Sequence, residues 1–285
     1  MGSRTPHPSE VAAHVRFGPG DELAARDPRD LSIGPGDRSR TEEATARLLG
    51  NLEEWQERLY AAGTAGSARS VLLLLQGMDT SGKDGTARRV IGAMNPAGVR
   101  IASFKKPTAE ELAHDFLWRI DRAMPSAGET VVFNRSQYED VLVVRVHALV
   151  EESEWRTRYE RINAFEAAAV GSGCVLVKVM LNISPAEQKE RLAARLEDPT
   201  KYWKYNPDDL RERGLWADYM AAYQDALARC STDAAPWYVV PADRKWYRDW
   251  VVANLLVEAF RRVDPQYPPP DFDVDEQRRL VAALD

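Results

Sequence analysis

The stretch LLLLQGMDTSGKDGTARR, Leu72 to Arg89, constrains the fold more than any other part of the chain. A short apolar run, a turn of the form G-x-x-x-x-G-K from Gly77 to Lys83, and a helical pattern follow one another almost directly. That order is the one for a strand, a phosphate-cradling loop and a helix whose N-terminus faces an anion. Candidate phosphate-binding residues here are Gly77, Gly82, Asp84, Gly85 and Thr86, with Lys83 as the loop lysine. The usual pattern ends in Ser or Thr, whose hydroxyl helps to hold Mg²⁺. In this chain Asp84 follows Lys83, and Asp79 sits inside the loop. Two carboxylates in a polyanion cradle conflict with the ligand unless a hard cation lies between them, since Mg²⁺ takes oxygens from carboxylates and phosphates together. Asp79 is therefore the first candidate for a metal ligand. Asp84, in the first helical turn, is favoured there by the helix dipole with no metal at all.

The remainder alternates between apolar runs and helical patterns. Val71–Gln76, Val99–Phe104, Thr130–Phe133, Cys174–Leu181 and Trp237–Val240 read as buried strands. Alternation of this kind predicts an α/β fold, a parallel sheet flanked by helices on both faces. Before it, Ala44, Leu48, Leu52, Trp55, Leu59 and Ala62 recur at helical spacing from Thr41 to Ala62. Helix starts are signalled by capping boxes at Thr108 with Glu111 and Ser136 with Glu139, and by Ser184-Pro185 with Glu187. Asn206-Pro207 opens a further helix. Residues 1–40, rich in Gly, Pro and Asp, read as an N-terminal arm, extended or partly ordered. A single domain spans 41–267, with a lid at about 185–213, and 268–285 form a proline-punctuated acidic tail. No internal repeat is present.

Composition narrows the setting. Cys174 and Cys230 are the two cysteines and show no C-x-x-C spacing, so neither a disulfide framework nor a zinc site is favoured. No apolar run reaches the roughly 20 residues of a membrane span, and the polar start lacks a signal-peptide core. A cytoplasmic protein with no membrane partner is the expectation. Net charge is −6, which argues against nucleic-acid binding. Yet residues 80–107 carry six basic groups against Asp84 alone, leaving about −11 for the rest, so positive charge is focused there. A solvated basic face is the plainer alternative.

Two further stretches carry candidate chemistry. In TVVFNRSQYEDVLVVRVHALV a strand runs into a helix, at the place where many phosphate-loop proteins put an Asp for Mg²⁺. Asn134 stands there instead, with no charge. Arg135 follows at the carboxyl edge of the sheet and suits a pair of phosphate oxygens. Glu139 is open between closing the box with Ser136 and a site role, whereas Asp140 has no capping duty and is the better candidate, including as a metal ligand. His147 reads as packed or solvated. In SPAEQKERLAARLEDPTKYWKYNPDD, Arg191 and Arg195 share a helix face, and Lys201 and Lys204 follow in a loop. Such a segment could fold over bound phosphates as a lid or be an ordinary charged hairpin.

Together, GMDTSGKDG, SFKKPTAEELAHDFLWR, FNRSQYEDVLVVRVH, EQKERLAARLEDPTKYWK and APWYVVPADRKWYRDW resemble the type 2 polyphosphate kinase family, and the FNRS-x-YED form is similar to its class III members. The resemblance covers roughly residues 40–265. It implies a phosphate-loop kinase fold with a helical lid that moves phosphoryl groups reversibly between inorganic polyphosphate and nucleotides, AMP and ADP to ADP and ATP. Guanine nucleotides are an open extension, the cofactor is Mg²⁺ or Mn²⁺, and a homo-oligomer is expected. By position, Asp79 and Lys83 match the family's loop acid and lysine, Asn134 and Arg135 its second motif, and Arg195 a lid arginine. Other classes have Asp where Asn134 stands, which fits class III and its use of both mono- and diphosphates. The Lys- and Arg-rich segment from 83 to 106, including Lys105 and Lys106, is expected to form, with the lid, a channel for the polyanion. Two other readings remain open on sequence: an ATP-dependent nucleotide kinase, and a nucleotide sensor that binds without transfer.

Overall fold

The computed structural model describes residues 5–284; residues 1–4 of the expected arm and Asp285 of the expected tail lie outside them. One sheet of five strands is formed by β1 (Ser70–Gln76), β2 (Val99–Ser103), β3 (Thr130–Asn134), β4 (Cys174–Asn182) and β5 (Trp237–Pro241), in the order β2-β3-β1-β4-β5. All four pairings are parallel. Every residue of β1 is buried, as its unbroken leucine run requires of a central strand covered on both faces. β2 departs from expectation: it ends at Ser103 and leaves Ile101 48% exposed, because it is the sheet edge and has one neighbour. The chain leaves β1 toward β2 and leaves β4 toward β5, so the crevice for a ligand opens above the carboxyl end of β1.

Helices cover the sheet. The Lys245–Val263 helix packs on β1, β4 and β5, with α1 (Pro8–Val15), α2 (Arg38–Thr64) and α3 (Lys83–Ile91) beside it. The Glu152–Gly171 helix packs on β4 and against the Trp216–Cys230 helix. Lys178 of β4 has no exposed surface, and its ammonium donates to Glu166 Oε2 (2.5 Å), to the Cys230 carbonyl (2.6 Å) and to Tyr138 Oη (3.0 Å). A buried charge persists only with such partners. Gln137 Nε2 and Tyr138 Oη both donate to the other oxygen of Glu166, Oε1, which moors the turn after β3 beneath the crevice.

The described part of residues 1–40 is built into the core rather than extended. α1 buries Val11 and Val15, Phe17 N donates to the Trp237 carbonyl, and Leu23 is buried. An eight-residue helix is too short for its period to stand out in a Gly- and Pro-rich stretch. The capping box at Thr108 with Glu111 is present, and Ser184 caps Pro185–Glu197 by accepting from Glu187 N. Ser136 instead accepts from Tyr138 N and opens a 3₁₀ turn, Gln137–Asp140, which leaves Glu139 without a capping partner. Beyond Pro265, which is buried, the described residues are almost all exposed and include a surface helix, Val274–Ala282. Among the described residues, no helix is long and apolar enough to cross a membrane.

Candidate active site

The loop after β1 turns through left-handed backbone at Gly77 (φ 144°), Thr80 (φ 66°) and Gly82 (φ 104°). A Cβ on Gly77 would lie 2.6 Å from the Leu181 carbonyl, and one on Gly82 would meet the Arg248 guanidinium, so both positions need glycine. Gly77→Ala is expected to cost about 2–4 kcal/mol of stability, from backbone strain and overpacking together. A fall of roughly 5–15 °C in thermal midpoint would record it. An unchanged midpoint would mean that β4 yields to the methyl group without loss.

Side chains from distant elements hold the loop's carbonyls. Arg191 Nη1 donates to Thr80 O (2.8 Å) and Ser81 O (3.0 Å), its Nη2 donates to Ala242 O (2.6 Å) and Asp243 O (3.2 Å), and its Nε pairs with Glu187 (2.8 Å). Gln188 Nε2 donates to Asp79 O (3.1 Å), and Gly77 N donates to Tyr223 Oη (3.1 Å). The sequence-based role of Arg191 as a phosphate ligand therefore needs correction. Its guanidinium reaches the wall of the cavity, but its donors are committed to loop carbonyls and Glu187.

Lys83 opens α3, and its ammonium donates to the carbonyls of Gly77 (2.6 Å) and Met78 (3.3 Å). Burial holds its pKa below the ordinary lysine range, opposed by the charge of Asp79. Arg135 takes left-handed backbone (φ 65°) at the end of β3, with its N donating to Leu75 O (3.1 Å). Strained non-glycine backbone of this kind gathers at functional sites. Its guanidinium lies between Asp79 (3.3 Å) and Glu139 (3.6 Å), and Glu139, more than any other group, raises its pKa. Asn134 Nδ2 donates to Asp84, so these two departures from the usual motif satisfy each other.

Two cavities meet at this point and share Asp79, Lys83 and Arg135. The first, about 250 Å³, carries five carboxylates: Asp79, Glu139, Asp208, Asp209 and Glu212. Met78, Leu142, Tyr219 and Tyr223 supply its apolar and aromatic walls. The second, about 610 Å³, is walled by eleven lysines and arginines against two acids, Asp79 and Asp84. It gathers Gly82, Gly85, Lys105, Lys106, Asn134, Arg195, Lys201 and Lys204 in its lining. Arg88, one of the basic groups concentrated at 80–107, lines it too, and so do Lys245 and Arg248, which lie outside the expected site residues but follow β5 at the carboxyl edge, where ligands of such sheets bind. Arg195 Nη1 donates to Lys204 O (2.8 Å) and Asp209 (3.1 Å), tying the two limbs of the 185–213 segment together. Thr86 is buried and lines neither cavity.

The order expected for Glu139 and Asp140 is reversed. Glu139 faces Arg135 in the acidic cavity, while Asp140 pairs with Arg158 Nη1 (3.1 Å) and Arg119 (3.8 Å) and lines a separate cavity. Burial pushes the Asp140 carboxyl up to about 6 against the pull of Arg158 and Arg119. A 3₁₀ turn rotates about 120° per residue, so adjacent side chains point to different faces. Asp140 is not placed to ligate a metal beside Asp79. His147, expected to be packed or solvated, lines the acidic cavity and bonds Glu212 (3.0 Å).

The donor set suits a hard divalent cation. Among the described residues no three His, Cys, Asp or Glu side chains form a ready metal cage. Mg²⁺ does not need one, because it is held by one or two carboxylates together with substrate phosphates. Burial, and after it the nearby charge of Asp79, raises the Asp209 carboxyl, a repulsion that a cation between them would relieve.

The family model described as polyphosphate kinase 2 matches residues 36–268. A Meiothermus ruber protein named AMP/ADP-polyphosphate phosphotransferase is 48% identical over 88% of this chain and 92% of its own length. A Rhodopseudomonas palustris protein named ADP-polyphosphate phosphotransferase is 41% identical over 76% of this chain and 78% of its own. The crystal structure of polyphosphate kinase 2 from Arthrobacter aurescens superposes with a TM-score of 0.95 at 46% identity, covering 99% of both chains.

Proposed function

The chain belongs to the polyphosphate kinase 2 family, and from that premise we propose that it moves phosphoryl groups reversibly between inorganic polyphosphate and adenine nucleotides. The observation that carries this reading is the shared wall of Asp79, Lys83 and Arg135 between a strongly basic cavity and an acidic, aromatic one. The basic cavity suits a long inorganic polyanion. The other, with Tyr219, Tyr223 and several hydrogen-bond acceptors, suits a nucleoside, so the two reactants meet at the shared residues. Acceptance of both AMP and ADP is supported by the name of the Meiothermus relative and by Asn134 in place of an aspartate.

The attacking atom is a terminal phosphate oxygen of AMP or ADP, ionised near neutral pH, so no general base is needed. The protein's task is to bring two polyanions into line and to neutralise charge on the group in transfer. Lys83 and the N-terminal turn of α3 offer donors from the loop, and Arg135, fixed between Asp79 and Glu139, offers a planar pair from the other side. Asp79, with Asp209 as a second carboxylate, would hold Mg²⁺ together with the substrate phosphates, and the ion would supply charge neutralisation at the phosphate oxygens when bound.

The test is purified protein with Mg²⁺, polyphosphate and either AMP or ADP, followed for new ADP and ATP. Transfer is expected with both acceptors and is expected to stop when the metal is chelated. Turnover at subsaturating polyphosphate should fall as ionic strength rises, because exposed charge contacts are screened. Transfer from ATP alone, or nucleotide binding without turnover, would overturn the reading. The same assay with guanine nucleotides and Mn²⁺ measures the breadth of acceptor and metal.

A further inference from the structure

Arg119 is partly buried, with its side chain 8% exposed, and it does not line the basic cavity. It nevertheless touches the element that brings Lys105 and Lys106 there. Its Nη1 donates to the Lys105 carbonyl (3.0 Å), and its guanidinium lies over the Phe104 ring (5.6 Å). Its Nη1 also lies near Glu111 (3.9 Å), and its Nη2 faces Asp140 (3.8 Å). Asp140 in turn accepts from Arg158 Nη1 through both its backbone oxygen and its carboxylate, each at 3.1 Å. A continuous chain of contacts thus joins the Gln137–Asp140 turn, which bears Glu139, to the segment that follows the edge strand β2. β2 has a single neighbour in the sheet, and Lys105 and Lys106 lie beyond its last residue. The backbone that carries the two lysines therefore takes its position partly from side-chain contacts.

We propose that Arg119, supported by Asp140, is a positioning residue that sets Lys105 and Lys106 against the polyphosphate chain. The proposal rests on the reading of the basic cavity as the polyphosphate site. Arg119 touches neither reactant, so its loss should change how one substrate is held and leave the chemistry alone.

Arg119→Met keeps the stem and removes the guanidinium. It is expected to raise the KM for polyphosphate about tenfold while kcat and the KM for ADP stay within about twofold, the signature of lost binding to one substrate. In a Lys105→Ala/Lys106→Ala background the same change should add nothing further, because residues acting as one unit are not additive. Asp140→Asn, nearly isosteric, should move the polyphosphate KM in the same direction by a smaller factor, and it keeps the proposal testable if Arg119→Met fails to fold. Equal changes in both KM values, a loss confined to kcat, or a full additional effect in the Lys105→Ala/Lys106→Ala background would overturn the role of Arg119. A Lys105→Ala/Lys106→Ala protein with a wild-type polyphosphate KM would instead overturn the reading of the basic cavity itself.

Discussion

Replacing Lys83 by alanine is expected to lower phosphoryl transfer by roughly 10²–10³-fold or more, the scale set by removing one preorganised donor to developing charge. The ammonium sits at the shared wall of the two cavities, on the residue that opens α3, and is held against the Gly77 and Met78 carbonyls. The fold should survive. Burial already disfavours the charged form, and the lost hydrogen bonds are worth about 0.5–1.5 kcal/mol each net. The check is turnover with saturating polyphosphate and ADP beside a thermal melt. A variant that melts near the wild-type temperature yet transfers at the wild-type rate would remove Lys83 from the chemistry.

Arg191→Met is expected to act the other way round, on stability first. One guanidinium satisfies the carbonyls of Thr80, Ser81, Ala242 and Asp243 and pairs with Glu187. Breaking a buried pair of this kind costs about 3–5 kcal/mol. For a chain of this size that corresponds to a midpoint lower by roughly 10 °C. Activity should fall by about 100-fold even where the protein is folded, because a loop displaced by about 1 Å misaligns the reacting groups. Had Arg191 been a mobile phosphate ligand of the lid, the midpoint would hold and the polyphosphate KM would rise. Melting and kinetics on one preparation separate the two outcomes.

These two variants mark where local pattern is informative. The glycine spacing, the lysine and the leucine run are contiguous, and each acts within a few residues of itself, so strand, loop and helix could be read in order. The other strands were legible for the same reason, since a buried parallel strand is an apolar run bounded by turn residues. The status of β2 as an edge was not legible, because neighbours belong to the sheet and not to the strand. Arg191 and Arg195 lie four apart on one helix, and nothing local separates them. Their roles diverge because one meets the loop and the β5 turn, and the other meets Lys204 and Asp209. Capping logic favours Asp140 over Glu139 as the site residue, and it does not hold here because Ser136 accepts from Tyr138 N and the turn is 3₁₀.

The amino-acid order alone settled the class of fold, the position of the phosphate loop and the concentration of positive charge behind it, since these follow from backbone preference and side-chain type at short range. Only the folded chain decided which charges face the ligand space and which hold the loop in shape. That division depends on contacts between residues more than a hundred positions apart, such as Arg191 with Thr80 and Tyr223 with Gly77. A guanidinium or carboxylate has the same chemistry wherever it sits, and its role is set by the partners that packing brings within hydrogen-bond reach.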